Sequence, residues 1–288
     1  MNVDVQCLWD VKATLGEGAL WDAALEQVWF VDIKGRKIHR CAPDGSGRRS
    51  WDAPSQVGFI APGEGGAMVC GLEDGLYRFD ADTGVFAALA QLEADLPGNR
   101  FNDGHVDPKG RLWFGSMDNG ETQPSGVLYR FDGAQVSSMD HGYIITNGPA
   151  VSPDGRTLYH TDTLAKRIYA FDLLDSGALH NKRVFAELAA PGHPDGMAVD
   201  ADGHLWVATF GGWRIDRYDA QGRKVGEVRL PCANITKLAF GGADLRTVYV
   251  TSARKGLSQA QLLEQPLAGG LFTFNSDTPG LPQHLLRI

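Results

Sequence analysis

The 288-residue chain is short of the features that mark several large classes of protein. It has four cysteines, Cys7, Cys41, Cys70 and Cys232, widely scattered and with no Cys-x-x-Cys pair. That spacing excludes a thiolate zinc site of the usual kind and argues against a disulfide framework, so reduced and mostly buried thiols are expected. No apolar run approaches the roughly 18 residues of a membrane-spanning helix, and the first residues carry neither a basic nor an apolar signal-peptide segment. A cytoplasmic protein with no membrane partner is therefore expected. Cations are also scarce: 27 Lys and Arg against 35 Asp and Glu give a net charge of −8, and the basic residues do not cluster. Nucleic-acid binding rests on clustered Lys and Arg, so no such partner is expected. The nucleophile-elbow pattern Gly-x-Ser-x-Gly does not occur, which disfavours serine catalysis. Gly63-Glu64-Gly65-Gly66 lacks the Lys-Ser/Thr of a phosphate-binding loop and reads as a turn.

What is present is glycine and repetition. Thirty-six glycines, 43% hydrophobic residues and only 22% charged ones describe a turn-rich, all-β chain that can bury a sizeable core. His193-Pro194-Asp195-Gly196-Met197-Ala198-Val199-Asp200 reads as a strand with a polar residue at its start. A turn follows, and His204-Leu205-Trp206-Val207-Ala208-Thr209 supplies a second strand. The same pattern recurs at Asn102-Asp103-Gly104, Asn147-Gly148-Pro149 and Glu17-Gly18-Ala19, with weaker copies at Val57-Gly58 and Thr236-Lys237. Aligned second-strand residues Trp29, Met68, Trp113, Tyr159, Trp206 and Tyr249 are spaced by 39 to 47 residues. A third strand family, typified by Leu128-Tyr129-Arg130-Phe131-Asp132, keeps the same phase. A period of about 40–50 residues with several short strands per unit defines a propeller blade. The reading is a single six-bladed β-propeller over residues 1–288, closed by an N-terminal strand over residues 3–9, with residues 284–288 as the other segment able to close it. Two inserts, residues 118–125 and 254–266, break the period and are expected on the functional face, the second with a short helix near Ser258.

In a propeller the starts of the innermost strands meet around one mouth. Glu17, Val57, Asp103, Asn147, Asp195 and Thr236 hold that position, which brings three carboxylates and an amide to the axis. Asp-Gly and Asn-Gly pairs are also common turn residues. Glu17-Gly18 is a poor turn pair in the same phase, however, and like charges crowded in a channel call for a cation or shared protons. Oxygen donors of these types suit Ca(II), Mg(II), Mn(II) or Fe(II). His105 and His160 fall inside strands and are expected to be packed or solvent-facing, whereas His193 can line the mouth.

The run Arg100-Phe101-Asn102-Asp103-Gly104, with Gly115-Ser116-Met117, Thr146-Asn147-Gly148, Pro194-Asp195-Gly196 and Leu15-Gly16-Glu17-Gly18, resembles the senescence marker protein/gluconolactonase/regucalcin-like family over nearly the whole chain. Blade order and polar content are most similar to its bacterial aldonolactonases, such as xylonolactonases. The resemblance implies hydrolysis of a sugar lactone with one divalent metal ion, Fe(II), Zn(II), Mn(II) or Ca(II), held by Glu17, Asn147 and Asp195; a monomer is expected. It also implies that Arg100, Asn102 and Glu121 contact substrate and that Asp195 takes or relays the proton. Asp103 is not a direct ligand in that family and is expected to support the ligands from behind or cap its strand. A phosphotriesterase-like hydrolase and a non-enzymatic calcium-binding propeller are the competing readings.

Overall fold

The computed structural model describes residues 3–288. The described strands form six four-stranded antiparallel sheets, and the innermost strand of each blade packs against those of both neighbours, the sixth returning to the first. The innermost strands are Gly16–Asp22, Phe59–Pro62, Asn99–Val106, Thr146–Val151, His193–Val199 and Ile235–Gly241. Second strands are covered on both faces by adjacent blades, so they read as continuous apolar runs and not as alternating ones. In Gln27–Asp32 the side chains of Val28, Trp29, Phe30 and Val31 are all buried. Outermost strands have water on one side, and Leu179–Glu187 is correspondingly polar and mostly exposed.

The sixth blade is built from both parts of the chain. Its strands Ile235–Gly241, Thr247–Ser252 and Leu271–Asn275 are completed by Gln6–Trp9, as expected, although residues 3–5 stay outside the ladder. This leaves the C-terminal segment free for another task. Residues 276–288 leave the last blade and cross the lower end of the channel. Gly280 donates to Leu245 O and Ala201 to Pro279 O on one side, while Leu286 donates to Pro62 O and Arg287 to Gly110 O on the other. Leu286 is fully buried there, and Leu281 to His284 line a cavity of about 220 Å³ bounded by all six innermost strands.

The turns at this lower end are fastened by buried carboxylates. Asp200 accepts hydrogen bonds from Trp206 Nε1 at 2.9 Å and Arg217 Nη2 at 2.8 Å. Asp107 does the same for Trp113 Nε1 at 2.8 Å and Arg111 Nε at 2.6 Å. Each binds a turn to the second strand of its own blade.

Candidate metal centre and substrate cavity

The upper ends of the innermost strands depart from regular pairing. Register shifts between Glu17 and Leu20, Phe101 and Gly104, Asn147 and Ala150, Pro194 and Met197, and Ile235 and Lys237. The second blade alone pairs regularly, from Phe59 against Gly71 to Pro62 against Met68. An irregularity of this kind re-aims a side chain. The five shifted places carry Glu17, Asn102 with Asp103, Asn147, Asp195 and Lys237; the regular blade has Val57-Gly58 there and offers no polar group. Glycine follows the first four because the strands approach closely. A Cβ at Gly196 would overlap the Lys237 side chain and lie 2.7 Å from Thr236 O.

Glu17 and Asp195, both buried, approach within hydrogen-bonding reach of each other. Burial, followed by the charge of Asp103, pushes the Glu17 carboxyl up to about 8. Asp195 is raised well above its ordinary range by burial and then by Glu17 and Asp103. Burial and mutual repulsion thus favour protonation of this pair in the absence of a cation. Glu17 Oε2 also accepts from Gly18 N at 2.8 Å.

The Asn147 amide is oriented by a chain of hydrogen bonds. Arg100 Nη1 donates to Asn102 Oδ1 at 2.6 Å, and Asn102 Nδ2 donates to Asn147 Oδ1 at 2.9 Å. Asn147 Nδ2 donates to Thr163 Oγ1 at 2.9 Å, and Thr163 Oγ1 donates to Pro194 O at 3.0 Å. The amide is thereby fixed in one orientation, its oxygen accepting one hydrogen bond and keeping a lone pair to spare. Arg100 is buried, and desolvation lowers its guanidinium to about 10 despite the nearby carboxylates, Glu121 first among them.

Glu17, Asn147, Asp195, Arg100, Asn102 and Glu121 line one cavity of about 220 Å³, together with His193, Thr163 and Lys255. Glu121 has a left-handed backbone (φ 59°) and forms an ion pair with Lys255, which joins the two inserts at the rim. A capped helix, Gln259–Glu264, lies in the second insert with Ser258 as its N-cap. His160 is fully buried in a strand, edge-on to Tyr143, and His105 lines the lower cavity instead.

Two placements refine the spacing argument. Asp103 lies close enough to Glu17 and Asp195 for its charge to raise both, but its carboxylate is engaged by Lys237 Nζ at 2.8 and 3.0 Å. Thr236 does not point into the channel: its hydroxyl donates to Gly16 O at 2.6 Å, and the register shift hands the axial position to Lys237. Lysine in the otherwise uncharged run Ile235-Thr236-Lys237-Leu238-Ala239-Phe240 was the available signal. Among the described residues no three His, Cys, Asp or Glu groups gather as a metal-binding cluster; the oxygen donors this cavity offers beside one another are the Glu17 and Asp195 carboxyls and the Asn147 amide. Those hard oxygen donors, with two buried like charges to neutralise, fit a divalent cation.

Fold and site together define a six-bladed propeller with an acidic centre at the upper end of its axis. The chain belongs to the SMP-30/Gluconolactonase/LRE-like family, whose profile it matches over residues 15–254. It is 36% identical to the L-arabinolactonase of Azospirillum brasilense over 94% of this chain and 92% of that one. It is 33% identical to the 6-deoxy-6-sulfogluconolactonase of Pseudomonas putida over 99% of both. Among solved structures it is similar to a calcium-binding protein, regucalcin, from Agrobacterium tumefaciens, with a TM-score of 0.95 and 31% identity over 99% of this chain and 98% of that one.

Proposed function

We propose that this protein is a metal-dependent lactonase that opens a pentono- or hexonolactone, of the xylono- or gluconolactone type, to the free hydroxy acid. The observation that carries the reading is the meeting of Glu17, Asp195 and an oriented Asn147 oxygen beside Arg100 and Asn102 in one cavity. The lactonase names of two relatives support it, and so does a cavity on the scale of a single sugar ring.

Glu17, Asn147 and Asp195 would hold the ion, which would supply Lewis-acid polarisation of the lactone carbonyl when bound. Arg100 and Asn102 orient the ring through its hydroxyls. Water adds to the carbonyl carbon while Asp195 accepts its proton. The bond from that carbon to the ring oxygen then breaks, and Asp195 returns the proton to the departing oxygen. Glu17 supplies the second negative charge and keeps its position through the Gly18 amide.

The test strips the protein of metal, restores Fe(II), Zn(II), Mn(II) or Ca(II) singly, and assays a panel of aldonolactones with a phosphotriester as comparison. Lactone hydrolysis that vanishes on stripping and returns with metal is expected. Asp195→Asn, compared per bound ion, should lose about 10²–10⁴-fold in rate. Full activity in rigorously metal-free protein, or turnover of the phosphotriester alone, would overturn the reading. Metal binding without turnover of either substrate would make the protein a calcium-binding propeller instead.

A further inference from the structure

The buried ammonium of Lys237 is not accounted for by lactone hydrolysis. It stands at the floor of the acidic centre, with its side chain 7% exposed and its partner Asp103 only 1% exposed. The two residues are 134 positions apart and come from the third and sixth blades, so the pair spans the channel. Asp103 is further anchored by accepting from Gly104 N at 2.8 Å. The stem of Lys237 lies against Gly196, the residue after Asp195, which is why no side chain fits at that glycine. The field of Lys237 reaches both Glu17 and Asp195 and opposes the repulsion from Asp103.

A charge count gives this placement its meaning. Fully ionised, Glu17, Asp103 and Asp195 bring three negative charges to the centre, and Lys237 removes one. The remaining two match one divalent ion, the buried Arg100 guanidinium of the same cavity having Glu121 as its foremost carboxylate neighbour. We propose that Lys237 is the charge-setting residue of the centre: it takes Asp103 out of the donor set and matches the site to a divalent cation in preference to a trivalent one. The inference rests on the metal-dependent reading above and concerns ion selectivity, with no part in the chemical step.

In a low-dielectric channel one unit of charge several ångströms from an ion shifts its affinity substantially, and the shift is larger for the more highly charged ion. Ca(II) and Tb(III) are suitable probes because they are similar in size and differ in charge. Full-length, metal-stripped protein is titrated with each by calorimetry and, for Tb(III), by luminescence. Lys237→Met keeps the apolar stem and leaves three unopposed carboxylates, so the Tb(III)-to-Ca(II) affinity ratio should rise about tenfold or more. Lys237→Met combined with Asp103→Asn restores two negative charges and should return the ratio to near the wild-type value. Should Lys237→Met fail to fold, Asp103→Asn alone serves: it leaves the ammonium unopposed, and the ratio should fall below wild type. A ratio unchanged in Lys237→Met, or raised equally in the double variant, would overturn the charge-setting role. Wild-type protein that binds neither ion would overturn the metal reading and this inference with it.

Discussion

At the scale of single residues, the centre holds two carboxyls that cannot both be charged without help. The Glu17 carboxyl is raised from an ordinary carboxylate value to about 8 by burial, and Asp195 is raised with it. A folded-state value above the unfolded one means that the metal-free fold retains a proton the unfolded chain gives up. The associated stability is present below about pH 4.5 and is lost as the pH rises toward 8. A divalent ion at Glu17 and Asp195 displaces that proton. Metal binding at pH 7 should therefore release protons, measured by calorimetry in two buffers of different ionisation enthalpy. Equal heats in both buffers would show that the carboxyls hold no proton to displace. Of these residues, Glu17, Asn147 and Asp195 were legible because they recur in phase with the blades. Thr163 and Lys237 were not, since one acts by fixing an amide and the other gained its place through a register shift.

At the scale of elements, blades could be counted from the sequence because second strands are buried on both faces and so carry Trp, Tyr or Met at a steady interval. The irregular pairing at the upper ends could not be read in this way. It depends on how the second strand meets the first, and no residue type in Pro194-Asp195-Gly196-Met197 distinguishes a regular ladder from a shifted one. The lower ends depend on single carboxylates. Asp200 is fully buried and also receives the backbone amides of Asp202 at 3.1 Å and His204 at 2.9 Å. Asp200→Ala removes the carboxylate partner of the Arg217 guanidinium, which keeps only His204 and Thr278, and the acceptor of the Trp206 N–H; this should cost about 3–5 kcal/mol of stability. Denaturant unfolding should show that loss while metal stoichiometry below the transition stays unchanged. A variant that lost metal with no loss of stability would show that this end communicates with the centre.

At the scale of the whole molecule, closure joins residues far apart in the chain, and the Gln6–Trp9 strand is the clasp. Deleting residues 1–9 would expose Leu271–Asn275 as an open edge. The shortened protein should unfold at lower temperature and self-associate, as seen by calorimetry and size-exclusion chromatography; a stable monomer would show that the ring closes without it. The alternative closing segment, residues 284–288, is unavailable because the burial of Leu286 between the second and third blades draws the tail across the channel. That crossing lays Leu281 to His284 along the lower cavity, at the end of the axis away from Glu17 and Asp195. The cavity that holds Glu17 and Asp195 is instead bordered by the Glu121 and Lys255 inserts. In the proposed reaction the guest arrives neutral and departs as an anion. On its way out it meets a rim where Glu121 and Lys255 cancel each other, so the inserts offer it neither a net repulsion nor a net hold.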